Sequence, residues 1–302
     1  MAYKVETVGL LSPGDMGHSV GQTLRENGLR VITCLQGRSE RTRGLAAEAG
    51  IEDVPTYGAL VQEADLILSI LVPAQAPNAA HRVSEAILET GAKVVYADCN
   101  AIAPQTVRAI GEEIVSAGGQ FVDASIIGGP PRGGSSPRVY VSGPDTRPFE
   151  ALGRDGLHVI PIGAEIGLAP AIKMCYAGWT KGSTALLTEI LTAAKVLGVF
   201  DALQQEYERS QSALIRRMQG LPAMPIKSRR FVGEMEEIAK TFGHVGLTPN
   251  IHSGAADMYR LVGSPHLADR TPEDTSPLPS LEETLAALAD ALPRSGGDEG
   301  SS

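Results

Sequence analysis

The sequence predicts an α/β fold: a doubly wound, mostly parallel sheet followed by an all-α C-terminal domain. Three observations predict it. The stretch Val5 to Gly17, VETVGLLSPGDMG, runs an apolar strand into a glycine turn and a helix. Strand and helix patterns then alternate at βαβ spacing as far as Ile162. Beyond Gly167 every pattern is helical.

Val5 to Leu11 is apolar enough for a strand buried on both faces. Asp15 to Asn27 reads as a helix, with Met16, Val20 and Leu24 four apart on one face, and Gly28 closes it as a left-handed cap. Between them lies Leu11-Ser12-Pro13-Gly14-Asp15-Met16-Gly17. Strand, glycine turn and helix in this order are the setting of a dinucleotide fingerprint, and so of a Rossmann-type domain. Gly14 lets backbone amides approach a pyrophosphate, and Gly17 lets the helix pack on the strand. Ser12 stands where the first glycine of G-x-G-x-x-G belongs, so the turn alone also fits an ordinary β–α connection that binds nothing.

A second strand, Leu29 to Leu35, ends in Gln36-Gly37-Arg38-Ser39, followed by Arg41 and Arg43. An NAD-binding chain places Asp or Glu here for the ribose 2′-hydroxyl. No acid is present, and Arg38 with Ser39 would instead hold a 2′-phosphate, which favours NADP(H) over NAD(H). The other reading of Arg38, Arg41 and Arg43 is a solvated helix start.

Arg41 to Ala49 reads as a helix, Val54 as a brief strand and Tyr57 to Ala64 as another helix. Asp65 to Leu71 is a buried strand stopped by Val72-Pro73. Ala79 to Glu89 is helical, Lys93 to Ala97 a strand, Pro104 a helix start, and Gln120 to Ala124 a strand again. Gly128 to Pro137 is a loop by composition, and it lies inside the domain because Val139 to Ser142 and His158 to Ile162 resume strand patterns. In such sheets ligands bind at the carboxyl ends of the strands, where Val72-Pro73, Asp98 to Asn100 and Ile126 to Gly129 fall.

These patterns place a dinucleotide-binding domain at 1–163 and an all-α substrate and dimerisation domain at 164–293. The helices of the latter are Leu168 to Leu197, Phe200 to Met218, Arg230 to Phe242, Ile251 to Val262 and Leu281 to Leu292. The stretch 294–302, mostly Gly, Ser and acid, reads as a disordered tail.

The 302 residues allow two cores, and 43% of them are hydrophobic. A formal charge of −9 without a basic cluster argues against nucleic acid and anionic membranes as partners. No basic-then-apolar leader opens the chain and no apolar run reaches the roughly 18 residues of a membrane span. Cys34, Cys99 and Cys175 are few and far apart, which fits a reducing cytoplasm, and neither they nor the six histidines show metal-ligand spacing.

Lys173 is the leading candidate for chemistry. It lies in GLAPAIKMCYAGW, where Glu165 and Lys181 are the nearest charges along the chain. A lysine in apolar surroundings either snorkels or has its pKa lowered, and a lowered pKa suits proton transfer. The alternative is a surface lysine on an amphipathic helix.

Four separated stretches give the chain a family resemblance. Val8 to Gly17 matches I-G-x-I-G-x-G-x-M-G except at Ser12; Phe121 to Gly129 matches D-A-P-V-S-G-G with Ile127 in place of serine. Gly163 to Lys173 resembles G-x-x-G-x-x-x-x-x-K with one residue more between its glycines, and Gly233 to Ala239 matches the K-D-L stretch with Gly233 for Lys and Glu234 for Asp. In these features the chain resembles the β-hydroxyacid dehydrogenases and the 6-phosphogluconate dehydrogenase-like proteins, to which imine reductases are related. The resemblance spans residues 5 to 290.

What the resemblance implies is hydride exchange between nicotinamide and a hydroxyl or carbonyl carbon, with Lys173 as general acid or base. Leu11 to Met16, Arg38, Ser39, Leu71, Val72, Pro73 and Asn100 would bind the cofactor. Asn100, Ile127, Gly128, Gly129, Ala177 and Glu234 would line the substrate. Met16 and Leu71 have plain core packing as their other reading. Tyr176 shares a face with Lys173 and would assist proton transfer or simply pack. Ala177 stands where the hydroxyacid enzymes carry a substrate-binding Asn, and Ile127 where they carry a serine. Two polar contacts for a small hydroxyacid are therefore gone, so the chain reads as a divergent branch with another substrate. An imine reductase remains an alternative, although those enzymes usually carry Asp or Tyr at the place of Lys173. So does a protein that binds NADP without turnover. A helix of about thirty residues also needs apolar cover along its whole length, and with the resemblance this predicts a homodimer through the helical domain.

Overall fold

Apolar residues on both sides of each central strand require layers on both faces, and the chain builds them. The computed structural model describes residues 3–132, 136–264, 266–270 and 274–293, so the expected tail at 294–302 lies outside the described residues. Thr7–Leu11 forms β1, Asp15–Glu26 α1, Arg30–Thr33 β2, Glu40–Glu48 α2, Glu52–Asp53 β3 and Tyr57–Glu63 α3. Leu66–Ser69 (β4), Ala76–Thr90 (α4), Val95–Asp98 (β5), Pro104–Ser116 (α5) and Gln120–Ile127 (β6) continue the alternation. Arg138–Ser142 (β7), Arg147–Glu150 (α6) and His158–Gly163 (β8) complete an eight-stranded sheet in the order β3-β2-β1-β4-β5-β6-β7-β8. Every pair is parallel except β6 with β7, which the loop after Ile127 joins as antiparallel neighbours.

Alternation along the strands feeds two cores. Leu66 and Leu68, Val95 and Ala97, and Val122 and Ala124 face one side, against Val20 and Leu24 of α1 and Phe149 of α6. Ile67, Tyr96 and Phe121 face the other, against Leu60 of α3, Val83 of α4 and Ile110 and Ile114 of α5. Each such fully buried side chain contributes about 1.5–3 kcal/mol. The strand order reverses between β1 and β4, which puts the ligand-binding crevice of a doubly wound sheet beyond Leu11 and Ser69.

Strand β4 ends at Ser69, not Leu71: Ile70 and Leu71 are half-buried and Val72 is exposed as the chain turns to Pro73. The brief strand after α2 is Glu52–Asp53, one residue short of Val54, and α4 starts at Ala76 because Pro77 suits the first turn of a helix.

The chain divides into two compact units, Met1–Tyr176 and Ala177–Ser302. After β8 comes Leu168–Val196 (α7), 29 residues and the longest helix among the described ones, which contains the division at Tyr176 and Ala177. The second unit continues with Phe200–Ser210 (α8), Ser212–Met218 (α9), Pro225–His244 (α10), Asn250–Val262 (α11) and Leu281–Asp290 (α12). The sequence predicts one helix over Phe200 to Met218, but Gln211 breaks it with φ −139° and ψ 47°. Ser210 and Ser212 flank the break and have weak helical preference, and the Ser210 hydroxyl donates back to the Glu206 carbonyl. Helix α10 begins five residues earlier than Arg230, again at a proline.

Candidate active site

The glycine turn sets the first part of the site. Leu11 ends β1 buried, and Ser12 follows with φ +63°, the only left-handed non-glycine among the described residues. The missing first glycine therefore leaves a backbone conformation that costs a serine about 1–2 kcal/mol. The Ser12 carbonyl accepts from the Gly14 amide at 2.7 Å. A Cβ on Gly17 would lie 2.9 Å from that carbonyl, so α1 sits this close only because position 17 is glycine. A Cβ on Gly14 would meet nothing nearer than the same oxygen at 4.0 Å, and no side chain caps α1 there. In contrast, α2, α3 and α12 are capped by Ser39, Thr56 and Ser280. Open space and uncapped amides at a helix start fit an anion such as a pyrophosphate. Pro13 is buried, and Met16 packs partly against the core beneath β1.

The sequence did not point to Arg132. Its guanidinium pairs with Asp15 at 2.9 Å, donates to the Ser19 hydroxyl at 3.1 Å and lies 3.3 Å from His18 Nε2. His18 Nδ1 lies 2.7 Å from the Gly14 carbonyl, which only accepts, so Nδ1 carries the proton and Nε2 can accept from Arg132.

At the end of β2, Ser39 is occupied as a cap, its hydroxyl accepting from the Thr42 amide. Arg38 reaches the Tyr57 hydroxyl at 3.5 Å, and the Arg82 guanidinium lies over the Tyr57 ring at 4.1 Å. Two cations thus flank one tyrosine, and among the described residues no carboxylate pairs with either. Tyr57 and Arg82 were invisible in the sequence because α3 and α4 bring them together only in the fold.

At the carboxyl end of β5, Asn100 is buried and fully engaged. Its side-chain amide donates to Ser69 Oγ and to Asp98 Oδ2, each at 2.9 Å, and its carbonyl accepts from the Leu71 amide. Asn100 thereby fixes the turn Leu71-Val72-Pro73. Ile127 is buried at the end of β6, and Gly128, at φ +131°, passes with its Cβ position 3.2 Å from Pro137. Gly129 meets nothing within 4 Å.

Lys173 is half-buried on α7, and its ammonium stabilises the ionised forms of Asp98 and Cys99. The purely apolar setting expected from the sequence is therefore corrected: a charge distant in sequence, Asp98 at the end of β5, acts on Lys173. Burial pushes Asp98 up to about 6, against the hydrogen bonds from Asn100 and the field of Lys173. Burial likewise pushes Asp123 up to about 6, against hydrogen bonds from Ser142 and Gly167. Tyr176, three residues after Lys173, is 49% exposed. In the second unit Ala177 is buried, and Glu234 is buried in ion pairs with Lys181 and with Arg230.

The raised carboxylates make a stability prediction. A native pKa of about 6 against an unfolded value near 3.9 means that the native state holds these protons longer. Their contribution is fully present below the unfolded value and is lost as pH rises through about 6. Urea midpoints should therefore be higher at about pH 5 than at about pH 7.5. Equal midpoints, or the reverse order, would show that Asp98 and Asp123 ionise normally.

Comparison with known proteins matches residues 7–152 to the family model "NAD binding domain of 6-phosphogluconate dehydrogenase", and residues 194–262 to "Domain of unknown function (DUF1932)". A conserved protein of unknown function, described as structurally similar to 3-hydroxyacid dehydrogenases, is 32% identical, with TM-score 0.64 over 85% of this chain and 99% of that one. An uncharacterised 28.5 kDa protein of Methanothermus fervidus is 28% identical over 68% of this chain and 77% of its own length. The 3-hydroxyisobutyrate dehydrogenase of Mycobacterium tuberculosis, solved with L-serine, shares the fold at 18% identity and TM-score 0.67, covering 94% and 99% of the two chains. Imine reductases also share it, among them that of Myxococcus stipitatus in complex with NADP+, at 17% identity and TM-score 0.54 over 85% of this chain and 92% of that one.

Proposed function

Because the chain belongs to the superfamily of β-hydroxyacid dehydrogenases and 6-phosphogluconate dehydrogenase-like proteins, we propose that this oxidoreductase uses NADP(H) to exchange a hydride with a hydroxyl or carbonyl carbon of a small molecule. Lys173 is its general acid or base. The observation that carries this reading is the grouping of Lys173 with Asp98 and Asn100 at the carboxyl end of β5, two strands from the glycine turn in the same unit. Nicotinamide supplies or takes the hydride when bound. The uncapped amides after Gly14 hold the pyrophosphate, and Arg38 with Arg82 receives the 2′-phosphate. Lys173 gives its proton to the oxygen of a carbonyl as it is reduced, or takes it from the hydroxyl in the reverse direction.

Ile127 and Ala177 replace the serine and asparagine of the hydroxyacid enzymes, and both are buried apolar groups. Neither side chain offers a carboxylate a partner, so a small hydroxyacid is expected to be a poor substrate. The test is loss of NADPH absorbance against panels of aldehydes, ketones and cyclic imines. Turnover of at least one carbonyl compound, faster with NADPH than with NADH, is the expected result. Turnover confined to imines would instead make the chain an imine reductase, and cofactor binding with no turnover at all would overturn the enzyme reading.

The second unit supports a homodimer. Trp179, Leu186 and Ile190 are exposed along α7 at helical spacing, Leu197 is exposed just past its end, and α8 buries none of its residues. A second copy of the chain covers this surface. Light scattering at micromolar concentration should give the mass of a dimer, and a monomer mass would refute it. The cytoplasm remains the proposed location, since Cys34, Cys99 and Cys175 are all free thiols and no described helix is long and apolar enough to cross a membrane.

A further inference from the structure

A polar row crosses the sheet at the carboxyl end of its central parallel strands. Ser69 of β4 stands opposite Asp98 of β5, Asp98 opposite Asp123 of β6, and Asp123 opposite Ser142 of β7. All four are at most 1% exposed, in a sheet whose buried side chains are mostly aliphatic and aromatic. Two residue pairs earlier along β5 and β6, and so in the same facing, Tyr96 and Phe121 stack with ring centroids 6.0 Å apart. Polar groups buried this deeply are costly unless they are hydrogen-bonded to something that uses them.

Ser69 and Asp98 are bonded to Asn100, and Asp123 and Ser142 to the start of α7. One Asp123 carboxylate oxygen accepts from the Ser142 hydroxyl and the other from the Gly167 amide. Ser142 Oγ in turn accepts from the Ala169 amide at 2.9 Å. The Gly167 carbonyl accepts from Ala171 at 3.1 Å, so Gly167 occupies the cap position of the helix. Helices usually carry a capping Ser, Thr, Asp or Asn at that place. Here the cap residue has no side chain, and its φ of +109° suits only glycine. Two residues of the sheet supply the cap in its stead. Arg108 of α5 closes the third side, donating to the Ile166 carbonyl at 3.1 Å, and its guanidinium lies 2.7 Å from where a Gly167 Cβ would be.

Lys173 is the sixth residue of this helix. An error in the direction of the first turn is carried straight to its ammonium. We propose that Asp123 and Ser142 are positioning residues for Lys173: they cap α7 from the sheet and thereby hold the lysine against its buried counter-charge, Asp98. The inference rests on the catalytic reading of Lys173 only for its consequence in turnover; the cap itself is independent of it. The titratable and charged groups on the elements around this turn include Asp98 and Cys99 at the β5 end, Asp123 of β6, Arg108, Glu112 and Glu113 of α5, and Glu165 in the turn itself.

The test reads Lys173 directly. Competitive acetylation of the full-length protein over a pH series, followed by mass spectrometry, gives the titration midpoint and reactivity of each lysine, with exposed Lys4 and Lys93 as references. Asp98→Asn should lower the Lys173 midpoint by about one pH unit, because it removes an opposite charge. Ser142→Ala should shift it in the same direction, and Ser142→Thr, which keeps the hydroxyl, should leave it at the wild-type value. NADPH binding, followed by nicotinamide fluorescence, should stay within about twofold in the two Ser142 variants, since the glycine turn and the Asn100 turn are untouched. With a confirmed substrate, Ser142→Ala should lower kcat on the order of tenfold with little change in KM. Asp123→Asn carries the larger risk of misfolding; Ser142→Ala leaves the carboxylate and its bond to Gly167 in place and so decides the matter alone. An unchanged Lys173 midpoint and reactivity in folded Ser142→Ala would overturn the proposal. Should Lys173→Met keep its turnover while Ser142→Ala still shifts Lys173, the catalytic reading falls and the cap stands.

Discussion

Replacing Lys173 with methionine is expected to lower turnover of a confirmed substrate by about 10²–10⁴-fold, the range for one positioned acid or base. Methionine keeps the unbranched apolar stem and removes the ammonium, so packing of α7 is preserved while proton transfer is lost. Lys173→Ala should lose as much activity and some stability besides, because it also empties part of the half-buried stem's place. NADPH affinity should stay within about twofold in the methionine variant, because the groups proposed to hold the cofactor lie at the ends of β1 and β2. In the reducing direction wild-type activity should fall on the alkaline side, where the ammonium that donates the proton is lost, and in the oxidising direction it should rise there. Near-normal turnover of Lys173→Met would place the acid elsewhere, and Tyr176, exposed three residues further along the helix, is the next residue to change.

The architecture was legible because it depends on period and order. Val8 and Leu10, or Leu66 and Leu68, alternate with residues that face the opposite core, and only a doubly wound sheet satisfies both faces at once. The ends of elements were less legible where a proline or a short polar run decides them, as at Ala76, Gln211 and Pro225. The glycine turn, Arg38, Asn100 and Lys173 could be singled out because motif spacing marks them. Arg132, Tyr57, Arg82 and Ser142 could not, since each matters through a partner distant along the chain. Asp98 and Asp123 lay between. Each is an acid within an apolar strand, Asp98 at the end of β5 and Asp123 in the middle of β6, which is a visible oddity, but that they stand side by side follows from the register of β5 on β6 and from nothing local. The same register corrects the expectation for Lys173: a lysine with few charges near it in sequence has a buried carboxylate near it in space.

Arg38→Asp is expected to reverse the cofactor preference, weakening NADPH by at least about 100-fold and strengthening NADH. A guanidinium pairs a phosphate through two parallel charge-assisted hydrogen bonds, each worth about 1.5–3 kcal/mol, so the loss of both accounts for roughly that factor. The introduced carboxylate adds repulsion toward a 2′-phosphate and offers an acceptor to a free ribose 2′-hydroxyl, which favours NADH on both counts. The surroundings argue that Arg38 is set for an anion. Its reach to the Tyr57 hydroxyl restrains a side chain that otherwise has many rotamers, so less entropy is lost on binding. Arg82 lies over the same ring, and neither arginine has a carboxylate partner among the described residues, so their mutual repulsion is relieved only when an anion arrives. Arg82→Ala should accordingly weaken NADPH by a smaller factor, about three- to tenfold, and leave NADH nearly unchanged. The advantage of NADPH over NADH should also shrink as salt is raised, because the arginines are only partly buried and the phosphate charge is screened. Fluorescence titrations of the wild-type protein with the two cofactors decide the premise: equal affinity for NADH and NADPH would remove Arg38 from cofactor recognition and leave it the start of a solvated helix.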